Sequence, residues 1–114
     1  MTLGEQQQRF PPFVATLLQW LYANGYTVTF GEAWRTPEQA AWNAAHGSGI
    51  KNSLHCERLA VDLNLFKADV FLTEREDYQP AGEYWKTLDP DCRWGGDFHS
   101  PDSDHFSLAW QGVA

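Results

Sequence analysis

Cysteine is scarce: Cys56 and Cys92 are the only two in 114 residues, and neither belongs to a Cys-x-x-Cys pair. A disulfide framework and a thiolate zinc site therefore lack support, which leaves two reduced thiols. Positive charge is also sparse, with eight Lys and Arg against fifteen Asp and Glu and a formal net charge of −7. Phosphate backbones are bound through clustered Lys and Arg, so nucleic acid is not an expected partner. Anionic membrane surfaces are disfavoured for the same reason. No apolar run approaches the roughly 18–20 residues of a membrane span. Even Phe13 to Tyr22 is interrupted by Thr16 and Gln19. The segment Met1 to Arg9 has no basic stretch followed by an apolar one, so no secretory signal is read there. The expectation is a protein made in the cytoplasm, a monomer without stable membrane association. Repeats, linkers and low-complexity tracts are absent too, which predicts one domain over residues 1–114 and no separate wall-binding module.

Apolar residues make up 43% of the chain and include six Trp, enough for one compact core. Pro11 and Pro12 can open a helix, with Phe13, Leu17, Trp20 and Leu21 at helical spacing and Asn24-Gly25 as its stop. Tyr26, Val28 and Phe30 alternate with Thr27 and Thr29, the period of a half-buried strand. Thr36 as N-cap, Pro37 at the first helical position and Gln39 as the reciprocal partner start a second helix that ends near Gly47. Gly47 to Asn52 reads as an exposed loop leading into Ser53-Leu54-His55. A strand from about Leu59 puts Val61, Leu63 and Leu65 on one face and Ala60, Asp62 and Asn64 on the other. Lys67-Ala68-Asp69 turns the chain into a hairpin with Val70 to Leu72. Gly82 to Leu88 suggests a short helix, and Phe106, Leu108 and Trp110 alternate with His105, Ser107 and Ala109. The fold class is α+β: a small domain with a central, mostly antiparallel sheet, helices packed on one side and a cleft on the other.

Two strands thus carry a metal-competent side chain, Asp62 and His105, on the face not needed for packing, and His55 precedes Asp62 by seven residues. Catalytic zinc takes three nitrogen or oxygen ligands and keeps a fourth position open, a requirement that two His and one Asp meet. A carboxylate in an apolar strand needs a partner, so Asp62 either binds metal or pairs with Arg35 or Arg58. His55 and His105 have the alternative of ordinary hydrogen-bonded histidines. Cys56 beside His55 raises the idea of a thiol protease, but adjacent residues on an extended segment point apart.

The run Ser53-Leu54-His55, then Ala60-Val61-Asp62-Leu63-Asn64, then Trp94-Gly95-Gly96-Asp97-Phe98 and Asp102-Ser103-Asp104-His105-Phe106 resembles the zinc D-Ala-D-Ala carboxypeptidase and L-alanyl-D-glutamate endopeptidase family, in particular its small phage endolysins. Gly31-Glu32-Ala33-Trp34-Arg35 fills the family's upstream G-x-x-x-R slot. The resemblance implies His55, Asp62 and His105 as ligands of about one Zn2+ per chain. It also implies Asp102 as the catalytic carboxylate and Arg35 and Ser53 as substrate contacts, with Arg35 alternatively in an ion pair with Glu32. The implied substrate is the stem peptide of peptidoglycan, cut between L-Ala and D-Glu in the cell wall after release to the periplasm. A D-alanyl-D-alanine carboxypeptidase and a non-catalytic, zinc-stabilised phage structural module are the alternatives. Asp97 and His99 are passed over by the family spacing. Two departures stand out: many relatives have Gly where Arg58 stands, and an acidic residue or Gln where Ser107 stands. The resemblance favours Asp102 over Asp104 as the base, with Asp104 expected to be a solvated turn carboxylate.

Overall fold

The computed structural model describes residues 1–47 and 53–114; apart from Gly47, the expected Gly47–Asn52 loop lies outside them. The chain opens with helix α1 (Leu3–Ala23), eight residues earlier than the prolines suggest. Its start is set by Thr2, whose hydroxyl accepts from the Glu5 N–H at 3.1 Å while Glu5 accepts from the Thr2 N–H at 2.7 Å. Pro11 and Pro12 then sit inside the helix, on its exposed side, where water can serve the carbonyls left without a donor. Strand β1 (Tyr26–Phe30) follows a left-handed Gly25. Phe30 does not join the core as its alternation implies, and it is 67% exposed on this edge strand.

Helix α2 (Pro37–Ala45) starts where expected, with Thr36 Oγ1 accepting from the Gln39 N–H. The reciprocal half of the cap is replaced by a bond from the Gln39 side chain to Asn43 Oδ1. Strand β2 (Ala60–Lys67) turns through Ala68 and Asp69, both at positive φ, into β3 (Val70–Phe71). Two left-handed residues in a two-residue loop form the tight hairpin turn whose twist matches that of the strands. Helix α3 spans Arg75–Leu88 rather than starting at Gly82, because Asp77 accepts from the Glu74 N–H and nucleates an earlier turn. Strand β4 (Cys92–Trp94), not expected from the sequence, leads through a short 3₁₀ turn (Gly95–Asp97) towards β5 (His105–Leu108). Trp110 lies beyond the strand, bridged to Val113.

The sheet runs β1-β2-β5-β4, with β3 also on β2 and every pairing antiparallel. Helices α1 and α3 cover one face through Leu17, Leu21 and Trp85, which meet Leu63, Leu65, Phe106 and Leu108. Trp85 is the hub, edge-on to Phe10 and Phe106 at centroid distances of 5.9 and 6.1 Å. Its indole N–H donates to Arg93 O at 2.9 Å, so the ring is buried without an orphaned donor. The other face of β2 and β5, where Asp62 is directly opposite His105, carries the site.

Candidate metal centre and cleft

His55 is placed by a turn, not a strand. Ser53 Oγ accepts from the His55 N–H at 3.1 Å, and Ser53 O accepts from the Cys56 N–H, folding the chain back before β2. Asp62 comes from β2 and His105 from the first residue of β5, so the three residues share one spot only after the sheet has formed. His55 Nε2 is 3.2 Å from Asp62 Oδ1, and His105 Nδ1 is 3.7 Å from the same oxygen. Bonds of about 2.0–2.1 Å at tetrahedral angles would set neighbouring ligand atoms about 3.3 Å apart. Asp62 Oδ1 is buried, yet it accepts no hydrogen bond despite its two imidazole neighbours. Its pairing with Arg35 or Arg58 does not form: Arg35 is bonded to Glu32, and Arg58 lies over the Trp34 ring. The ligand atoms of His55, Asp62 and His105 lie within 4.8 Å of one another, a set that could hold a divalent metal and leave a position open.

Burial and the charge of His55 push His105 down to about 4, so its imidazole is neutral and able to donate its lone pair. For His55, burial opposes the charged form, but the Asp62 carboxylate outweighs it and raises the pKa.

The loop between the 3₁₀ turn and β5 delivers the two acidic candidates. Asp102 is exposed, with Oδ2 3.9 Å from His105 Nδ1. Asp104 is not the solvated turn carboxylate expected. It is half-buried, and desolvation together with the Asp102 carboxylate raises its pKa to about 6. The carboxylates of Asp62, Asp102 and Asp104 lie within 4.8 Å of one another. Residues 102–104 do form a turn, with the His105 N–H donating to Asp102 O at 3.1 Å.

That turn is wedged in place by Trp94 and the two glycines after it. The Trp94 indole donates to Ser103 O at 2.7 Å, and a Cβ on Gly82 or Gly96 would lie 2.1 or 2.2 Å from its ring. A Cβ on Gly95 would lie 2.0 Å from Asp102 O. Trp94 is thus a core residue that fixes the turn from behind, not the floor of the cleft.

A cleft of about 470 Å³ opens beside the centre, lined by Arg35, Ser53, His55, His99, Asp102 and His105. Asp97 is not part of it, being paired with Lys86 at 2.7 Å and Arg75 at 3.4 Å. The thiols are unsuited to nucleophilic work: burial raises Cys56 and pushes Cys92 up to about 12. Gly31 escaped notice in the sequence beyond its motif slot. Its N–H donates to Asp62 O, and a Cβ there would come within 3.0 Å of the Asp62 Cβ, so the residue lets the β1 edge close on the ligand strand. Arg58 has φ 57°, the left-handed region that Gly enters freely.

A fold with two His and one Asp converging on the open face of an antiparallel sheet, beside an exposed carboxylate, belongs to a metal-dependent class of hydrolases. The family model for D-alanyl-D-alanine carboxypeptidase matches residues 46–108, more than half of the chain, and the chain is a peptidase of that family. Among solved structures, the Serratia marcescens L-Ala D-Glu endopeptidase ChiX shares the fold at a TM-score of 0.65 and 20% identity, over 93% of this chain and 85% of that one. No curated protein sequence matches the chain.

Proposed function

We propose that this chain is a zinc-dependent peptidoglycan peptidase that cuts stem-peptide amide bonds, with L-alanyl-D-glutamate as its target, and that it serves as an endolysin. The observation that carries the reading is the convergence of His55 Nε2, His105 Nδ1 and the unpartnered Asp62 Oδ1 beside the Asp102 carboxylate. These three residues would hold a zinc ion, which when bound would supply Lewis-acid activation of a water and of the scissile carbonyl. Asp102 takes the proton of the attacking water and returns it to the leaving amine, a role its exposed position at the cleft rim suits. Arg35, which lines the same cleft and whose planar fork stays charged at working pH, holds a substrate carboxylate. Ser53 borders the cleft while orienting His55.

The choice of bond follows the similarity to an L-Ala D-Glu endopeptidase. The description of the matching family favours a second reading, release of a terminal D-Ala. A purely structural zinc module fits less well, since closed structural sites fill the fourth position with a protein ligand. Purified muropeptides digested with and without a chelator, then weighed, test all three. Chelator-sensitive separation of L-Ala from D-Glu supports the proposal. Loss of a single alanine supports the carboxypeptidase, and zinc-loaded protein without any product supports the structural module. The proposal further takes residues 1–114 as one monomeric catalytic domain acting in the periplasm. No helix among the described residues is long and apolar enough to cross a membrane.

A further inference from the structure

The strap Gly31 to Arg35 is laced to two of the three segments that carry the candidate ligands, those of His55 and Asp62. Gly31 N–H donates to Asp62 O and Asp62 N–H to Glu32 O, each at 2.8 Å, while Arg35 N–H donates to His55 O at 3.2 Å. Within this strap the Glu32 carboxylate accepts from Arg35 Nε. A guanidinium offers a carboxylate two edges, one formed by Nε with a terminal nitrogen and one by the two terminal nitrogens. With Nε engaged by Glu32, the edge left for a ligand is Nη1–Nη2. Among the described residues no hydrogen-bond partner occupies that edge. The Arg35 side chain is only 14% exposed, and it borders the cleft.

The pair does little for stability. The Glu32 side chain is 36% exposed, and a short-range pair so near water is largely screened. Its effect is instead on the freedom of Arg35. An unanchored arginine loses rotamer freedom when it grips a ligand, whereas an anchored one has lost it beforehand. We propose that Glu32 is a positioning residue for substrate recognition, holding Arg35 so that its Nη1–Nη2 edge meets a substrate carboxylate end-on beside the metal centre. This inference rests on the peptidase reading given above. It makes the Glu32 ion pair and substrate binding by Arg35 two parts of one device rather than alternatives.

The test uses zinc-loaded protein, a synthetic stem peptide with a free D-Glu carboxylate, and its carboxamide counterpart. Glu32→Ala should raise KM for the carboxylate peptide about three- to tenfold, the usual effect of having to order one long side chain on binding. The kcat and the zinc content should hardly change. Glu32→Gln keeps an acceptor for Nε and should restore most of the KM. In an Arg35→Ala background Glu32→Ala should add nothing, and the carboxamide peptide should be insensitive to Glu32→Ala. Additive effects of Glu32→Ala and Arg35→Ala, or a loss confined to kcat, would overturn the proposal. The anchoring itself is read by nitrogen NMR: the Arg35 Nε–H signal should be protected from exchange in the wild type and Glu32→Gln but not in Glu32→Ala. If the wild type cleaves neither peptide, the enzymatic reading fails. The same spectra, titrated with the carboxylate peptide, then still decide the inference. A shift at Arg35 that Glu32→Ala weakens upholds it, and no shift overturns it.

Discussion

Strand β5 is buried along all four residues, yet its two faces are built on different principles. Phe106 and Leu108 turn to the helices and meet apolar atoms only, so nothing on that face asks for a partner. His105 and Ser107 turn the other way, equally hidden from solvent, and there His105 Nε2, Ser107 Oγ and the neighbouring Asp62 Oδ1 all lack hydrogen bonds. Native proteins satisfy buried polar groups nearly everywhere. Burial alone therefore does not separate core from site in this small domain, whereas burial without satisfaction does. One face is apolar throughout, and the other leaves Asp62 Oδ1, the atom between the two imidazoles, without a hydrogen bond.

The strongest way to sharpen this contrast is to remove one side chain from each face. His105→Ala, Asp62→Ala or His55→Ala should abolish metal binding and hydrolysis while the protein still unfolds cooperatively. Leu63→Ala, on the helix-covered face, should instead lower stability by roughly 2–5 kcal/mol and leave metal stoichiometry intact in the folded fraction. Elemental analysis alongside thermal unfolding reads both. Full metal content in a His or Asp variant would remove that residue from the ligand set.

Next in size is the contrast within the acidic turn. Asp102→Asn cannot accept the water proton, so kcat should fall by roughly 10²–10⁴-fold with metal and melting temperature unchanged. Asp104→Asn should keep most activity, and the reverse ranking in folded, metal-loaded variants would transfer the base to Asp104. Asp104 also has a stability signature. Its pKa rises from 3.8 to about 6 on folding, so between these values the native state holds a proton that the unfolded chain releases. Stability of the metal-free protein should therefore fall as pH rises through that window, and Asp104→Asn should flatten the fall. Denaturant titrations at several pH values measure it.

Gly95→Ala tests the wedge behind the turn. Its Cβ would collide with Asp102 O and approach His105 Cβ to 2.8 Å, so both core packing and site geometry should suffer. A loss of roughly 1–3 kcal/mol, typical of overpacking, should accompany reduced turnover. The smallest effect is expected at Arg58. Glycine there relieves about 1–2 kcal/mol of left-handed strain but forfeits the guanidinium's place 4.5 Å above Trp34, so the melting temperature should move by only a few degrees. A large destabilisation would mean that Arg58 holds more than Trp34.

Much of the chemistry was legible along the chain, because motif spacing and strand periodicity are local. Alternation in Ala60 to Phe66 separates Asp62 from Leu63 and Leu65, and the same rule splits His105 from Phe106. The hairpin at Ala68-Asp69 and the Thr36 cap were likewise visible. The misread elements each had a local signal that another outweighed. The two prolines outranked the Thr2-Glu5 capping box, although proline is tolerated on a helix face turned to water. Gly82 drew attention away from the start of α3 at Arg75, yet that glycine is needed only because the Trp94 ring presses against it.

The sequence by itself determined which residues can bind a metal, which strand faces are polar and, through the spacing of its motifs, the family. These follow from residue type and from backbone periods of 2.0 and 3.6, which need no knowledge of the rest of the chain. Only the tertiary structure decided that His55, from a turn, meets Asp62 and His105 across two strands, and that Arg35 presents its outer edge because Glu32 holds the inner one. It also decided that Asp104 is half-buried beside Asp102. Such facts depend on distances between segments far apart in the chain, and those distances exist only once burial of the opposite face has brought β2 and β5 into register.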